Sequence, residues 1–352
     1  MGAMPVQYDV GVVGAGLTGA AVARRLAEAG RRVLVLEAQD AVGGLSVHGC
    51  GLALLGTPEP YAALVERHGA EDARRIWALS QENLALLTAG AAQLGVPVRR
   101  VGTFRVTDDS GEAAVLERSC TALEHAGFAV ELDDATESGY LVGLRTEDDL
   151  AFEPAALING LLDHPDVVVR SGVEVETFNE VDNGVDVWVR KHYVRVRRLV
   201  LAPGPHLVHL DEALQGMITT APLRTVHARV SERLAQPWIL DAGGAMLCDQ
   251  GEQWRIAAWS ADPQVDPWAT LARVGEQFCP EAPVLARHAG WIARTSDDRP
   301  LVGPLPGRSA VYVVGGLGAW GARWAFVAAD RLVNVLEGEH ITSLLALERG
   351  AR

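Results

Sequence analysis

Residues Tyr8 to Glu37 read YDVGVVGAGLTGAAVARRLAEAGRRVLVLE. The apolar run Val10 to Val13 predicts a buried strand, and Val33 to Leu36 predicts a second strand parallel to it. Between them lie Gly14, Gly16 and Gly19 in G-x-G-x-x-G spacing. The helix-forming stretch Ala20 to Ala29 follows, with Gly30 suited to end it. Each glycine has a reason in a strand–turn–helix unit that meets a dinucleotide. Gly14 permits the tight turn, Gly16 lets a pyrophosphate approach the backbone, and Gly19 lets helix and strand pack closely. The free N–H groups at the helix start then face the phosphates. Glu37 stands 23 positions after Gly14, at the end of the second strand, where an acid accepts hydrogen bonds from a free ribose 2′-OH.

A second unit of this kind closes the chain. Val311 to Val314 predicts a strand, Gly315, Gly316 and Gly318 follow it, and Gly321 to Leu336 predicts a helix. That unit aims another helix start at a ligand. Between the two units the pattern varies. After Glu37, glycines 43, 44, 49 and 51 make a loop whose backbone can lie close to a ligand. Residues 58 to 95 carry helical periodicity, with Leu64, Ile76, Leu79, Leu84 and Leu87 as core positions. Gly102 to Val106 predicts a strand, Glu112 to Ala126 a helix, and Phe152 to Leu162 a short helix with Pro154 in its first turn. Val167 to Ala202 predicts a β-meander, with Asp182-Asn183-Gly184 as a turn, followed by a central strand over Leu199 to Ala202. Residues 217 to 260 predict a second sheet, and Thr270 to Phe278 a helix. The fold expected is α/β (α+β overall). A Rossmann-like nucleotide-binding domain takes residues 1–90, 145–205 and 291–352, interrupted by a largely antiparallel-sheet domain of residues 91–144 and 206–290.

Composition narrows the class. The chain has 352 residues, 49% hydrophobic and 22% charged, with a formal net charge of −14. Such an acidic balance argues against a nucleic-acid footprint. No apolar run reaches the roughly 18 residues of a membrane span, and no basic and apolar leader precedes Tyr8. Cys50, Cys120, Cys248 and Cys279 are scattered without C-x-x-C pairing, which argues against a structural zinc or a disulfide framework and for a reducing cytoplasm. His206 and His209 near Asp211 read as a surface cluster rather than metal ligands, and Asp297 and Asp298 as turn residues. No metal is expected.

Six segments, in order, carry a resemblance: GVVGAGLTG with Glu37, GGLSVHG (43–49), FEPAALINGL (152–161), RLVLAPG (198–204), TSDDRPLVGPLP (295–306) and VYVVGGLGAWG (311–321). The chain resembles the D-amino-acid-oxidase-like flavoproteins, the family of glycine oxidase and monomeric sarcosine oxidase. The resemblance implies FAD rather than NAD, and oxidation of a C–N bond in an amine or amino acid. Together with the glycine turns it nominates cofactor contacts at Gly14, Ala15, Gly16, Leu17, Thr18, Gly19, Glu37 and Ala38. In the flavin loop it nominates Gly44, Leu45, Ser46, His48 and Gly49; further on come Val175, Ala202 and Gly204; the closing turn adds Gly316, Leu317, Gly318, Ala319, Trp320 and Gly321.

The resemblance also nominates residues near the reaction. Arg323 falls where sarcosine-oxidase-like members place a cation for the substrate carboxylate; as an arginine it suits a bidentate pair, unless it makes an internal ion pair. Arg255 takes the place of a lysine that promotes reaction with oxygen, a departure that leaves a dehydrogenase open. His48 is implied as a flavin contact, or it is a turn histidine. Trp291 and Trp320 are either aromatic walls of the substrate site or core. Arg294 is a second carboxylate candidate. Ile292 replaces the family's usual carboxylate-binding tyrosine and Leu52 a common arginine, which favours a larger, more apolar substrate. The position of the cysteine that attaches flavin in some members is Gly290, so FAD is expected to be non-covalent. A flavin-binding subunit without turnover of its own, and a tRNA-modifying oxidoreductase, remain as other readings, the latter at odds with the charge.

Overall fold

The computed structural model describes residues 8–230, 233–341 and 343–347. Its first eight-stranded sheet is built around Tyr8–Val13, which lies parallel between Val33–Leu36 and His192–Leu201. Val167–Arg170 extends it, parallel, beyond Val33–Leu36. Val311–Gly315 extends it beyond the end of His192–Leu201, also parallel, and Leu301–Pro304 closes that side antiparallel. The hairpin Thr177–Val181 and Gly184–Val189 pairs with the first half of His192–Leu201. Strands covered on both faces must be apolar throughout, which is why Val33–Leu36 and Leu199–Leu201 are uninterrupted runs of buried Val and Leu. The covering helices include Leu17–Glu28, Pro154–Leu162 and Ala325–Leu336, packed on one another through small residues such as Ala20, Ala23, Ala328 and Ala329.

The second eight-stranded sheet runs, in spatial order, Val284–Arg294, Thr219–Arg229, Gln253–Trp259, Ala245–Gln250, Trp238–Leu240, Thr103–Thr107, Val142–Thr146 and Val130–Asp134. Every pairing is antiparallel except Trp238–Leu240 with Thr103–Thr107. Helix Pro267–Phe278 packs Leu271 and Val274 on one face. The other face brings Leu223, Met246 and Ile292 against Leu52, Leu54 and Trp320. A three-stranded sheet of Leu52–Ala53, Leu150–Phe152 and Val98–Arg100 stands between the two large ones.

The α/β expectation holds, with local corrections. The helical stretch 58–95 is two helices, Tyr61–His68 and Ala70–Gln93, broken at Gly69 with φ +81°. The meander and the central strand are not separate: His192–Leu201 is one ten-residue strand whose early half serves the hairpin and whose late half serves the parallel sheet. Val167–Arg170 is a parallel strand rather than part of the meander. The closing helix begins at Ala325, after a 3₁₀ turn over Gly321–Arg323. Strand Val284–Arg294, eleven residues long, was not predicted: Gly290 and three alanines dilute its alternation. Among the described residues no helix is long and apolar enough to cross a membrane.

Candidate functional site

The carboxyl ends of Tyr8–Val13, Val33–Leu36, His192–Leu201 and Val311–Gly315 open into one cavity of about 1300 Å³, roofed by strands of the second sheet. Gly14, with φ +97°, makes the first turn; a Cβ there would lie 2.5 Å from the Ala202 carbonyl. A Cβ on Gly19 would lie 1.9 Å from the Gly14 carbonyl, so turn and helix touch backbone to backbone. Helix Leu17–Glu28 starts at Gly16 without a side-chain cap, and its first amides face the cavity apart from a long contact of Leu17 N–H with Ser46 Oγ at 3.4 Å. Uncapped N–H groups at a buried helix start are an anion site.

Glu37 is 8% exposed. Its Oε2 accepts from the Ala15 amide at 2.7 Å and its Oε1 from the Gln39 amide at 3.0 Å. The flavin loop is tied to the first turn by Gly43 N–H donating to Ala15 O at 3.0 Å. Gly44 lines the cavity and a Cβ on it would meet no protein atom within 4 Å; that side chain would stand in the space a ligand needs. The closing turn has Gly316 and Gly318 at φ +72° and +73°, and Gly318 N–H donates to Ala293 O at 2.8 Å, which joins it to the second sheet. The two glycine turns thus face one space.

Most nominated cofactor residues line that space: Gly14, Gly16, Leu17, Thr18, Glu37, Ala38, Gly44, Leu45, Ser46, His48, Gly49, Val175, Ala202, Gly204, Gly316, Leu317, Gly318, Ala319 and Gly321. Ala15, Gly19 and Trp320 do not. Ala15 and Gly19 are buried in the turn itself, and Trp320 is 4% exposed with its Nε1 donating to Gly243 O at 3.2 Å.

Of the six residues nominated for the reaction, only His48 and Trp291 line the cavity. Trp291 is 53% exposed, at the rim. The three arginines lie outside the cavity lining. Arg294 makes two 3.1 Å contacts with the Asp298 carboxylate. Arg255 Nη2 donates to both carboxylate oxygens of Glu153, at 2.9 and 3.2 Å, and Nη1 donates to Gly49 O at 3.0 Å. Arg323 is 1% exposed between Trp320 and Trp324, with its guanidinium carbon 5.3 and 5.2 Å from their ring centres. Its Nη2 donates to Asp298 O, and burial pushes its pKa down to about 9. Trp320 is part of the apolar cluster under the cavity.

The cavity wall holds residues that the sequence did not nominate. Leu223 and Met246 join Leu52 and Ile292 as apolar lining, and Arg287 is the one arginine or lysine among the lining residues. His206 and His209, read as a surface cluster, lie in the 3₁₀ turn Gly204–His209 and line the cavity. His288 lies on the unpredicted strand and stacks on His48, ring centres 3.7 Å apart and planes 11° apart. His227 stands 5.0 Å from His288, and its Nε2 pairs with His48 O at 3.1 Å. Burial, then the neighbouring His288, His227 and Arg255, holds the His48 pKa below the usual imidazole value.

A parallel sheet with an uncapped helix start, a buried acid at the end of the second strand and a second glycine turn around one cavity defines a dinucleotide-dependent enzyme of the flavoprotein kind. The chain belongs to the FAD dependent oxidoreductase family (DAO), whose model matches residues 9–335. It is similar to the crystal structure of glycine oxidase from Geobacillus kaustophilus: TM-score 0.82, 18% identity, covering 97% of this chain and 98% of that one. L-amino acid deaminase from Proteus vulgaris, with its specific insertion deleted, aligns at TM-score 0.77 and 18% identity over 97% of this chain and 92% of that one. L-proline dehydrogenase from P. horikoshii aligns at 0.75 and 17% over 97% and 96%. At such identities these likenesses speak for the fold.

Proposed function

We propose that this FAD-dependent oxidoreductase oxidises the C–N bond of a small amine or amino acid to an imine, which water then hydrolyses. The observation that carries the reading is the single cavity shared by the Gly14 and Gly316 turns and roofed by Leu52, Leu223, Met246 and Ile292. Gly14 to Thr18 and Glu37 fit the adenosine and pyrophosphate half of FAD. Gly44 to Ser46, His48 and Gly49, with Gly316 to Ala319, line the rest of the cavity and fit the flavin half, and at Gly44 a Cβ would stand in open space. FAD held there supplies a hydride acceptor at N5. The chain's own part is to hold the substrate against that acceptor and keep water away, and the apolar wall selects a substrate of apolar character. The reading includes the division into a discontinuous FAD-binding domain and a substrate domain, although strand Val284–Arg294 crosses its 290/291 boundary. It also includes non-covalent attachment: a Cβ on Gly290 already comes within 2.8 Å of Leu45.

The test is a panel of amines, amino acids and hydroxy acids mixed anaerobically with purified holoenzyme. Bleaching of the flavin by an amine is expected; bleaching by a hydroxy acid alone overturns the C–N assignment. Acid precipitation should release the yellow colour. A yellow pellet would point instead to a bond from a cavity nucleophile such as His48 or His288.

A second reading concerns the acceptor, and one observation favours it. The guanidinium of Arg255 is ion-paired with the Glu153 carboxylate through Nη2, so it is not a free cation for oxygen. On this reading the enzyme is a dehydrogenase. Dye reduction much faster than peroxide formation in air supports it, and equal rates exclude it.

A further inference from the structure

The imidazoles of His48, in the loop that fits the flavin half, and of His288, outside that loop, stack on each other, and both line the cavity. They come from opposite sides of it. His48 ends the 3₁₀ turn Gly44–His48 of the flavin loop, and His288 lies on strand Val284–Arg294 of the second sheet, opposite Thr225. The charged and titratable groups around them are few. Strand Thr219–Arg229 contributes His227, 6.5 Å from His48 and 5.0 Å from His288. Strand Gln253–Trp259 contributes Arg255, which is ion-paired with the Glu153 carboxylate at the start of helix Pro154–Leu162. No carboxylate contacts His48 or His288 among the described residues.

Two imidazole rings stacked at 3.7 Å cannot both be charged without strong repulsion in a part-buried place. Such a pair therefore behaves as one titrating unit that takes a single proton. Burial and the neighbouring His288 and His227 disfavour the charged form of His48, and a neutral imidazole has one ring nitrogen free to accept a proton. An amine arrives from water chiefly as an ammonium, and a C–N bond gives up a hydride only when the nitrogen lone pair is free to form the imine.

We infer that His48 and His288 act together as the proton acceptor for the incoming substrate ammonium. One N–H bond of the ammonium breaks and its proton forms a new N–H bond on one imidazole. The nitrogen keeps the electron pair, and the proton returns to solvent when product leaves. His227 is a positioning residue: its Nε2–H donates to the main-chain carbonyl of His48 and anchors the backbone from which that ring projects. This rests on the C–N reading above and assigns the proton in it.

The experiment has two arms. In the first, histidines of the protein are labelled with ¹⁵N and titrated by NMR in wild type and His288→Gln, without substrate. In wild type the His48 titration should lie below the ordinary imidazole value, and in His288→Gln it should move up by on the order of one pH unit, since a repelling neighbour is gone. Independent, unshifted titration of both rings overturns the inference whatever the substrate proves to be. In the second, the anaerobic flavin-reduction rate is followed against pH with any amine that bleaches the flavin. The acid limb should follow the same shift in His288→Gln, and His48→Asn should lose at least tenfold in rate at neutral pH but recover as the pH approaches the amine's own pKa. An acid limb identical in all three proteins also overturns it. If no amine bleaches the flavin, the C–N reading falls, while the NMR arm still decides whether the pair shares a proton.

Discussion

Glu37 closes a loop on the start of the chain: its Oε2 lies 2.7 Å from the amide of Ala15, 22 residues earlier, inside the turn that faces the cofactor. One carboxylate thus fixes the shape of the turn and also presents an acid at the cavity wall. Glu37→Ala leaves the Ala15 and Gln39 amides without their charged acceptor. Hydrogen bonds to a charged group contribute about 1.5–3 kcal/mol each. The variant is expected to lose FAD affinity by roughly ten- to a hundredfold. Quenching of flavin fluorescence on titration with apoprotein measures it, and unchanged affinity would show that the turn needs no help from Glu37.

The glycines of the first turn separate two physical effects. Gly19→Ala places a methyl carbon 1.9 Å from the Gly14 carbonyl, in backbone that has nowhere to go. Overpacking of this kind costs roughly 1–3 kcal/mol or more, and FAD binding should be lost with it. Gly30 sits at φ +76°, past the end of the same helix, with open space around its Cβ. Gly30→Ala meets only the conformational penalty, about 1–2 kcal/mol, and should keep its flavin. Urea melts with flavin content measured alongside distinguish the two; equal loss of flavin in both would contradict the assignment of Gly19 to close packing.

These local rules explain what could be read in advance. The first βαβ unit and the closing glycine turn are legible because spacing, apolar runs and glycine demand coincide within about thirty residues. His192–Leu201 looks like two strands in the sequence because its two halves have different partners: Val194 pairs in a hairpin and Leu199 in a parallel sheet. The partners of Arg294 and Arg255 are illegible for a different reason. Position along the chain says where an arginine begins but not which carboxylate it finds; Asp298 takes Arg294, and Glu153, a hundred residues away, takes Arg255. His288 carried no motif. Its signal was only the alternation of Ala286, His288, Gly290 and Ile292 on one face of a strand, visible once the pairing with Ala221, Leu223 and Thr225 is known.

Asp149 is a buried carboxyl whose protonation is coupled to folding. It is 1% exposed. Its Oδ1 accepts from the Leu55 amide at 2.6 Å, and its Oδ2 from the hydroxyls of Thr103, at 2.6 Å, and Thr146. Burial outweighs these bonds and raises its pKa above the ordinary carboxylate value. The folded state then holds the proton to higher pH than the unfolded chain does. The contribution of this group is greatest below the unfolded pKa near 4 and declines as pH rises through the folded value. Asp149→Asn keeps the shape and removes the titration. The stability difference, wild type minus variant, should fall as pH rises from about 4 toward neutrality; a difference that rises or stays flat in urea melts at several pH values would refute the assignment.

Arg323 gives the sharpest contrast between stability and function. Its guanidinium is buried between two indoles. Its Nε and Nη1 have no hydrogen-bond partner among the described residues, and the carboxylate of Asp298 is already held by Arg294. Two unpartnered buried donors cost about 1–3 kcal/mol each, whereas a cation over an aromatic face returns about 0.5–2 kcal/mol. The lowered pKa states the same imbalance: at neutral pH the group is charged in a place that disfavours charge. Arg323→Met keeps the length and apolar bulk and removes the cation. Replacing a poorly compensated buried charge by a packed apolar side chain is commonly neutral or stabilising by about 1–4 kcal/mol. The variant is therefore expected to melt at or above the wild-type temperature. Because Arg323 does not line the cavity, KM for an amino-acid substrate should change less than threefold. A large rise in KM at constant kcat would restore Arg323 as the carboxylate clamp that its sequence position suggests. A drop of more than 2 kcal/mol in stability with unchanged KM would instead mean that the buried guanidinium has a partner, a water or a small anion, that compensates its charge.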